Sequence, residues 1–593
     1  MCGVNGFNFK DINLIKKMSS ITSNRGPDNE GYCVLDEFTV SHNRLSIIDP
    51  EKRSNQPYKF KNYILSFNGE IYNYLELKQK LLSSGYKFET ESDTEVIIKL
   101  FDLYGINSFK KLSGIFAISI YDSISKKIYL VRDIVGVKPL YYYHDPFTKR
   151  FIFGSLINAI LLSVKEKKLN YDALNSYANF NRNDYRETFF KKIYKVLPGE
   201  LIEIVDGEYK RTKLLNFKFE KKNNELDINN EIQKYFSNQF LSDVPVALSL
   251  SGGVDSSIIF HKLLENKGTN FTNYSVQFEN SLKYSQDHNV AEKISKKYSI
   301  KFNSVKVSSR DFIDNAEKIV DIVEEPTGNT NSISNYILSK NISEKVLFSG
   351  DGGDEVFTGY NRYKSIHIIN ILKKFNIFKN LDFKFKNKNL NRLFLKSSHD
   401  LFLSFSEQNL IKSQNKVYNK FSYINKHGLS EMLNHSNSFY SPKLSNVMYH
   451  DIDTWVPNDI LLRNDKIYAN EGIETRVPFL DQNIIEKFLM ISDLKKYGFA
   501  FKSKNLLKKG FKKELNMTVQ TKSGFNSPFA SWLRNELYEF AKNILSKGYY
   551  DSSAHLNLNE CTKLINHHKD KYNDPFLIWN LISLQIFLKK FKF

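Results

Sequence analysis

The chain is poor in cysteine: Cys2, Cys33 and Cys561 are all it has in 593 residues. Three scattered thiols cannot build a disulfide framework, and no Cys/His group has zinc-ligand spacing. A reducing compartment is expected, with the cytoplasm as its place. Long apolar runs are missing too. The strongest, "FLIWNLISLQIFL" near the end, is interrupted by Asn580, Ser583 and Gln585 and falls short of the roughly 20 residues a bilayer span needs. Residues 1–20 mix Lys, Asp and Asn with apolar residues, so no secretory leader is expected. Internal repeats are absent. Positive charge is what abounds: 85 Lys and Arg against 65 Asp and Glu, a formal +20. The basic residues are dispersed, and the abundance of Lys, Asn, Ile, Phe and Tyr is what an AT-rich coding sequence produces. Dispersed charge is not a nucleic-acid footprint. No nucleic-acid partner and no membrane span are expected. A hydrophobic fraction of 41% allows sizeable cores, and the length calls for more than one domain.

Residues 1 to about 205 read as strand-rich, with alternating runs such as "YILSFNG", "GIFAISIYD" and "KKIYLVRD". Helical stretches are expected at "NYLELKQKLLSSG" and "SDTEVIIKLFDLYG", and "VLPGELIEIVDGEYK" as a closing hairpin turning at Asp-Gly. The polar stretch "FKFEKKNNELDINNEIQKYF" reads as the linker plus the first helix of a new unit, and the second domain is taken as 206–593. There "VPVALSLSGG", "TNYSVQF", "NSVKVS" and "KVLFSGDGGDE" supply buried-strand candidates with helices between them, the alternation of a parallel α/β sheet. Residues 364–450 read as helical and carry no motif.

"SLSGGVDSS" (249–257) places an apolar strand, a Gly-Gly turn and a helix start in sequence. Backbone N–H groups at a helix start, with serine hydroxyls, cradle phosphate oxygens. No G-K-[ST] follows, so this is not the Walker loop. An aspartate inside a phosphate cradle needs a cation between the two anions, so Asp255 implies Mg²⁺. The plainer alternative is a strand–helix turn with a serine cap. A second turn, "LFSGDGGDE", sets Asp351, Asp354 and Glu355 after Ser349-Gly350. Such acids either share the metal, polarise a substrate, or form a solvated acidic turn. At the other end, "MCG" puts a thiol one residue from the chain start. Position alone leaves open a buried structural cysteine or an N-terminal nucleophile. Loss of Met1 would give Cys2 a free α-amine, whose reference pKa of about 7.7–8.0 makes it a usable base beside the thiol.

With "RGPD" (25–28), "RLSIID" (44–49), "NGEIYNY" (68–74), "SDTE" (92–95), "KPLYY" (138–142), "ETRVPFLD" (474–481) and "KSGFNSP" (522–528) in order, the chain resembles the glutamine-hydrolysing asparagine synthetases, which are class II glutamine amidotransferases. The resemblance implies an α+β N-terminal-nucleophile (αββα) glutaminase domain at 1–205. An α/β ATP-pyrophosphatase (adenine nucleotide alpha hydrolase-like) synthetase domain follows at 206–593. It implies Cys2 as nucleophile, with the Asn68 side chain and the Gly69 N–H as oxyanion donors. Arg44 would hold the glutamine carboxylate and Asp93 its ammonium, with Glu70 in the same pocket. ATP would lie on Ser249, Leu250, Ser251, Gly252, Gly253, Asp255, Ser256 and Ser257, with Val276, Ser349 and Gly350 near adenine and ribose. Asp255 and Asp354 would carry Mg²⁺, Asp351 would assist the adenylate or ammonia step, and Lys504 would neutralise pyrophosphate, with Lys502 as the competing register.

The reaction so implied is ATP-dependent amidation through an acyl-adenylate, aspartate giving asparagine. The same chemistry on a uronic acid of a polysaccharide precursor is the alternative. A tRNA-modifying sulfur transferase would want cysteines near the ATP loops, and none is there. The resemblance leaves room for a homodimer. The sequence departs from the family pattern at Ile134, Leu156 (usually Glu), Asn329, Lys466 (usually Arg), Tyr468 and Asn470. These departures are expected to gather near the acceptor.

Overall fold

The computed structural model describes residues 1–219, 227–279, 286–374, 416–419, 444–498, 502–518, 527–570 and 575–593. Most of 364–450, the middle of the linker and residues 522–526 of "KSGFNSP" lie outside them. Alternating apolar residues in the first 213 positions build two sheets. One contains β1 (Gly3–Phe7), β2 (Asn29–Val34), β3 (Thr39–Arg44), β8 (Tyr141–Asp145), β9 (Arg150–Gly154) and β10 (Ile193–Lys195), in the order β10-β8-β9-β1-β3-β2. The other contains β4 (Tyr58–Phe60), β5 (Tyr63–Ile71), β6 (Gly114–Asp122), β7 (Lys127–Arg132), β11 (Glu200–Val205) and β12 (Glu208–Lys213), in the order β12-β11-β7-β6-β5-β4. Every strand pair in both sheets is antiparallel. The β11–β12 hairpin turns at Asp206-Gly207, both at positive φ (50° and 77°), as a type I′ turn demands.

The inward faces of the two sheets meet in a core of Val4, Val40, Phe153, Ala117, Leu130 and Ile202. Helix Ile12–Thr22 covers the first sheet, and helices Tyr74–Ser83 and Asp93–Tyr104 cover the second. The layering is therefore αββα.

The second unit holds a five-stranded sheet of β13 (Val246–Ser249), β14 (Thr272–Phe278), β15 (Lys301–Val307), β16 (Val346–Phe348) and β17 (Glu474–Arg476). Its order is β15-β14-β13-β16-β17, and all pairs are parallel. The strand order reverses between β13 and β16, and in open α/β sheets ligands bind beyond the carboxyl ends of the strands at that switch point. Both glycine-rich turns leave the sheet there. The apolar run near the C-terminus forms helix Pro575–Phe591, buried along most of its length. Among the described residues no helix is long and apolar enough to cross a membrane. One apolar cluster runs from Leu65, Phe67 and Ile118 to Phe236, Phe348 and Phe479, so the two units share a core.

Candidate active sites

Cys2 stands at the head of β1, a central strand of its sheet, and is 8% exposed. Its backbone N–H donates to Asn68 Oδ1 at 2.8 Å. That bond fixes the orientation of the Asn68 amide. Asn68 lies within β5, fully buried, and its Nδ2 has no hydrogen-bond partner. An unpaired buried donor costs about 1–3 kcal/mol, so this N–H₂ group is poised for an acceptor that arrives from outside. Gly69 follows at φ +145°, and a Cβ there would lie 1.9 Å from the Ile115 carbonyl oxygen. Only glycine lets β5 turn its backbone at this point.

Burial pushes the Cys2 thiol above its ordinary pKa, against the pull of the nearby N-terminal charge. Burial likewise lowers the α-amine of Met1, next to Cys2 in the unprocessed chain, to about 6. A chamber with this effect favours a neutral amine, which can accept a proton from the thiol.

Asp93 opens helix Asp93–Tyr104, which Ser92 caps by accepting from the Thr94 N–H. Asp93 accepts from Ile71 N–H at 3.0 Å, and burial raises its pKa to about 6. Glu70 is pushed well above the usual carboxylate range by burial and by Glu474, and it faces Arg476 at 3.5 Å. Arg44 uses both terminal nitrogens to hold the following loop: Nη1 donates to Glu51 O (2.9 Å) and Asn55 Oδ1 (2.8 Å), and Nη2 to Ile48 O and Asp49 O. The guanidinium thus shapes the wall of the Cys2 site through backbone carbonyls.

The second site opens at the switch point. A cavity of about 170 Å³ is lined by Ser249, Leu250, Ser251, Asp255, Ser256 and Val276 from one side. Ser349, Gly350, Asp351 and Asp354 line it from the other, while Gly252, Gly253 and Ser257 are not among its lining residues. Ser251 and Ser256 bridge the turn through their hydroxyls at 3.0 Å. The two turns approach so closely that a Cβ on Gly353 would fall 2.5 Å from Asp255 Cγ. Asp255 and Asp354 converge on one cation, the Lys504 ammonium, which pairs with both. Lys504 is 5% exposed, whereas Lys502 is exposed.

Convergence of two carboxylates on one charge fits a divalent ion held jointly with phosphate oxygens, the habitual mode of Mg²⁺. Among the described residues no group of three or more His, Cys, Asp or Glu could hold a metal unaided. Asp351 accepts from Ser349 Oγ (2.8 Å) and Asn464 Nδ2 (2.9 Å), and Asn464 in turn accepts from Asn335 (2.8 Å).

Between the sites lies a charged partition that the sequence motifs do not announce. Arg25 donates through Nε to the Cys2 carbonyl (3.0 Å) and pairs with Asp465 (2.8 Å). Lys138 lies 3.9 Å from Asp465 and 3.7 Å from Glu474, and Arg476 pairs with Glu474 at 2.8 Å. Helix Leu461–Ala469 thus turns Asp465 to the Cys2 side and Asn464 to the nucleotide-type cavity. On β17, Glu474 and Arg476 face the Cys2 side while Thr475 lines that cavity. The charge alternation in "ETR" was the available signal.

The six departures from the family pattern do not gather as expected. Only Tyr468 lines the 170 Å³ cavity. Leu156, Lys466 and Asn470 line a separate cavity of about 190 Å³ at the seam between the units. Ile134 is buried in the shared core, and the Asn329 side chain accepts from the Asn331 N–H, 3.0 Å away. Their positions follow side-chain direction on helix and strand, which spacing along the chain does not reveal. Cys561 is buried, with its thiol pushed up to about 12 by desolvation.

Two family models match the chain in succession. Residues 1–215 match the glutamine amidotransferase domain family and residues 227–589 the asparagine synthase family. "Asparagine synthetase [glutamine-hydrolyzing] 1" of Bacillus subtilis is 30% identical, the match covering 97% of this chain and 93% of the relative. A putative asparagine synthetase of Methanocaldococcus jannaschii is 30% identical over 63% of this chain and 78% of its own length. A further Bacillus subtilis synthetase, number 3, is 26% identical over 82% and 80%.

Proposed function

The chain belongs to the glutamine-hydrolysing asparagine synthetase family of ATP-dependent ligases, and from that premise we propose a two-site mechanism for it. The glutaminase site belongs to residues 1 to about 205 and the synthetase site to residues 206–593. The observation that carries this reading is the Asn68 amide, whose oxygen accepts from the Cys2 N–H while its buried Nδ2 donor stays without a partner.

Once Met1 is removed, the Cys2 α-amine takes the thiol proton. Sulfur attacks the side-chain carbonyl carbon of glutamine, and the oxyanion falls to Asn68 Nδ2 and the Gly69 N–H. Collapse of the intermediate breaks the C–N bond, and the amine returns the proton to the departing ammonia. Water then hydrolyses the thioester to glutamate. Arg44 and the loop it braces receive the glutamine carboxylate, and Asp93 with Glu70 its ammonium.

At the second site an acceptor carboxylate oxygen attacks the α-phosphorus of ATP, and pyrophosphate leaves. Ammonia arriving from the first site attacks the acyl carbon and displaces AMP. The serine–glycine turn donates to phosphate oxygens, Val276, Ser349 and Gly350 border the nucleoside, and Asp351 takes up a proton from the attacking ammonia. Asp255 and Asp354 would hold Mg²⁺, which neutralises phosphate charge when bound. Lys504 sits where pyrophosphate charge builds up. The acceptor favoured is aspartate. Beyond Asp255 and Asp354, which pair with Lys504, the cavity carries Asp351 and Glu355 opposite Arg463, groups of both signs that suit an acceptor bearing an ammonium and carboxylates.

The test is pyrophosphate release with ATP, Mg²⁺ and glutamine across a panel of carboxylates, with product mass analysis. Asparagine formed from aspartate is expected. Turnover with a uronic acid and silence with aspartate would refute the choice of acceptor.

A further inference from the structure

The seam cavity of about 190 Å³ runs from the exposed residues Asn24 and Lys318 inward to Arg25. Arg25 is 2% exposed, touches the Cys2 carbonyl, and has an unpartnered Nη1. This cavity therefore links solvent to a side chain that touches the nucleophile's own carbonyl. Two carboxylates line it, Asp321 and Glu324, and Glu324 ties its walls together. Glu324 Oε2 accepts from Ile157 N–H (2.9 Å) and Oε1 from Asn158 N–H (2.7 Å), both in the first unit. Lys466 Nζ donates to Glu324 Oε2 (2.7 Å) and to Val323 O (2.8 Å), and lies 4.9 Å from the centre of the Tyr141 ring. Glu324 and Lys466 are 1% and 2% exposed.

The local backbone serves this placement. Helix Ser309–Val323 ends at Glu324 in the left-handed region (φ +62°), two residues before Pro326. A non-glycine residue persists there only where its surroundings over-determine it, and here three donors do. Residue 156, a leucine, lines the same cavity and offers no charge to Lys466.

We infer that the Glu324–Lys466 pair is a seal that keeps nitrogen released at Cys2 inside the molecule, with residue 324 supplying the carboxylate that residue 156 does not. Lys466 belongs to the helix that presents Asp465 to Arg25 and Asn464 to Asp351, so the pair also fixes the register of the partition. Glu324 is a positioning residue and touches no substrate. The inference rests on the two-site reading above.

The experiment uses the full-length enzyme and the Glu324→Gln variant, measuring glutamate released per amide formed with glutamine, and separately the amidation rate with ammonium chloride. Glutamine keeps the shape of the side chain but can accept only one of the two backbone bonds. Expected is a several-fold rise in glutamate per amide, with glutaminase and ammonium-dependent rates close to those of the unaltered enzyme. An unchanged ratio in the folded variant overturns the seal. Should Glu324→Gln not fold, Glu324→Asp, which withdraws the charge by one methylene, carries the test with the same two readings. Failure of the unaltered enzyme to make any amide from glutamine would instead bring down the two-site reading, a distinct result.

Discussion

Replacing Asn68 tests the glutaminase site most directly, because its two amide atoms have separate duties. Asn68→Ala removes the free Nδ2 donor and the acceptor for the Cys2 nitrogen. Loss of one oxyanion donor lowers turnover roughly 100- to 1,000-fold, about 3–4 kcal/mol of transition-state stabilisation. Loss of the bond to Cys2 adds on the order of 1 kcal/mol of ground-state disorder. The assay is glutamate release at saturating glutamine, set beside amide formation driven by ammonium chloride. The first should fall by two to three orders of magnitude, roughly the range for an oxyanion donor. The second should stay close to that of the unaltered enzyme, since ammonium enters the other site directly. Cys2→Ala serves as the reference for complete loss of glutamine use. Two results would refute the reasoning. One is a fall of less than about fivefold, too small for a transition-state donor. The other is parallel loss of both activities in a folded protein, which would make Asn68 a structural residue.

Lys504→Met leaves Asp255 and Asp354 without their shared counter-charge, so both amidation activities should collapse while glutamate release persists; loss of glutamate release as well would contradict the division. Gly353→Ala, whose Cβ would fall 2.5 Å from Asp255 Cγ, should have the same pattern, and pyrophosphate release in the presence of ammonium measures it. Asp93 carries a pKa raised to about 6 by burial. Its neutral form contributes stability below the ordinary carboxylate pKa of about 4, and that contribution is lost as pH rises through 6. Binding of the glutamine ammonium needs the ionised form, so kcat/KM for glutamine should fall below pH 6 as both Asp93 and the N-terminal amine protonate, and Asp93→Asn should reduce the steepness of that limb from two protons towards one. A limb of unchanged steepness in Asp93→Asn would refute a role for Asp93 in it.

The strands and turns were legible wherever the chemistry is local. "TNYSVQF" reads as a buried strand and is β14 from end to end, and Asp-Gly marks the turn of the β11–β12 hairpin. The phosphate-type turn was legible because glycine, serine and an apolar strand occupy adjacent positions. Arg25, Asp465, Lys138 and Glu474 were not, because they lie in four distant segments and meet only when two units dock. Leu156 looked like a loss near the acceptor. In the structure it lines the seam cavity beside Glu324 and Lys466. Nothing within either segment signals the other.

The three-residue strand β17 has a further consequence. Its alternation gives Glu474 and Arg476 to one chamber and Thr475 to the other, so two reactions share a single wall. A slip of one residue would turn every side chain to the opposite face and ruin both sites together. Retargeting this scaffold to another acceptor is therefore barred from β17, and must proceed through helix Leu461–Ala469, whose Tyr468 lines the cavity. The strand is an evolutionary constraint, and the helix beside it is where new specificity can be written.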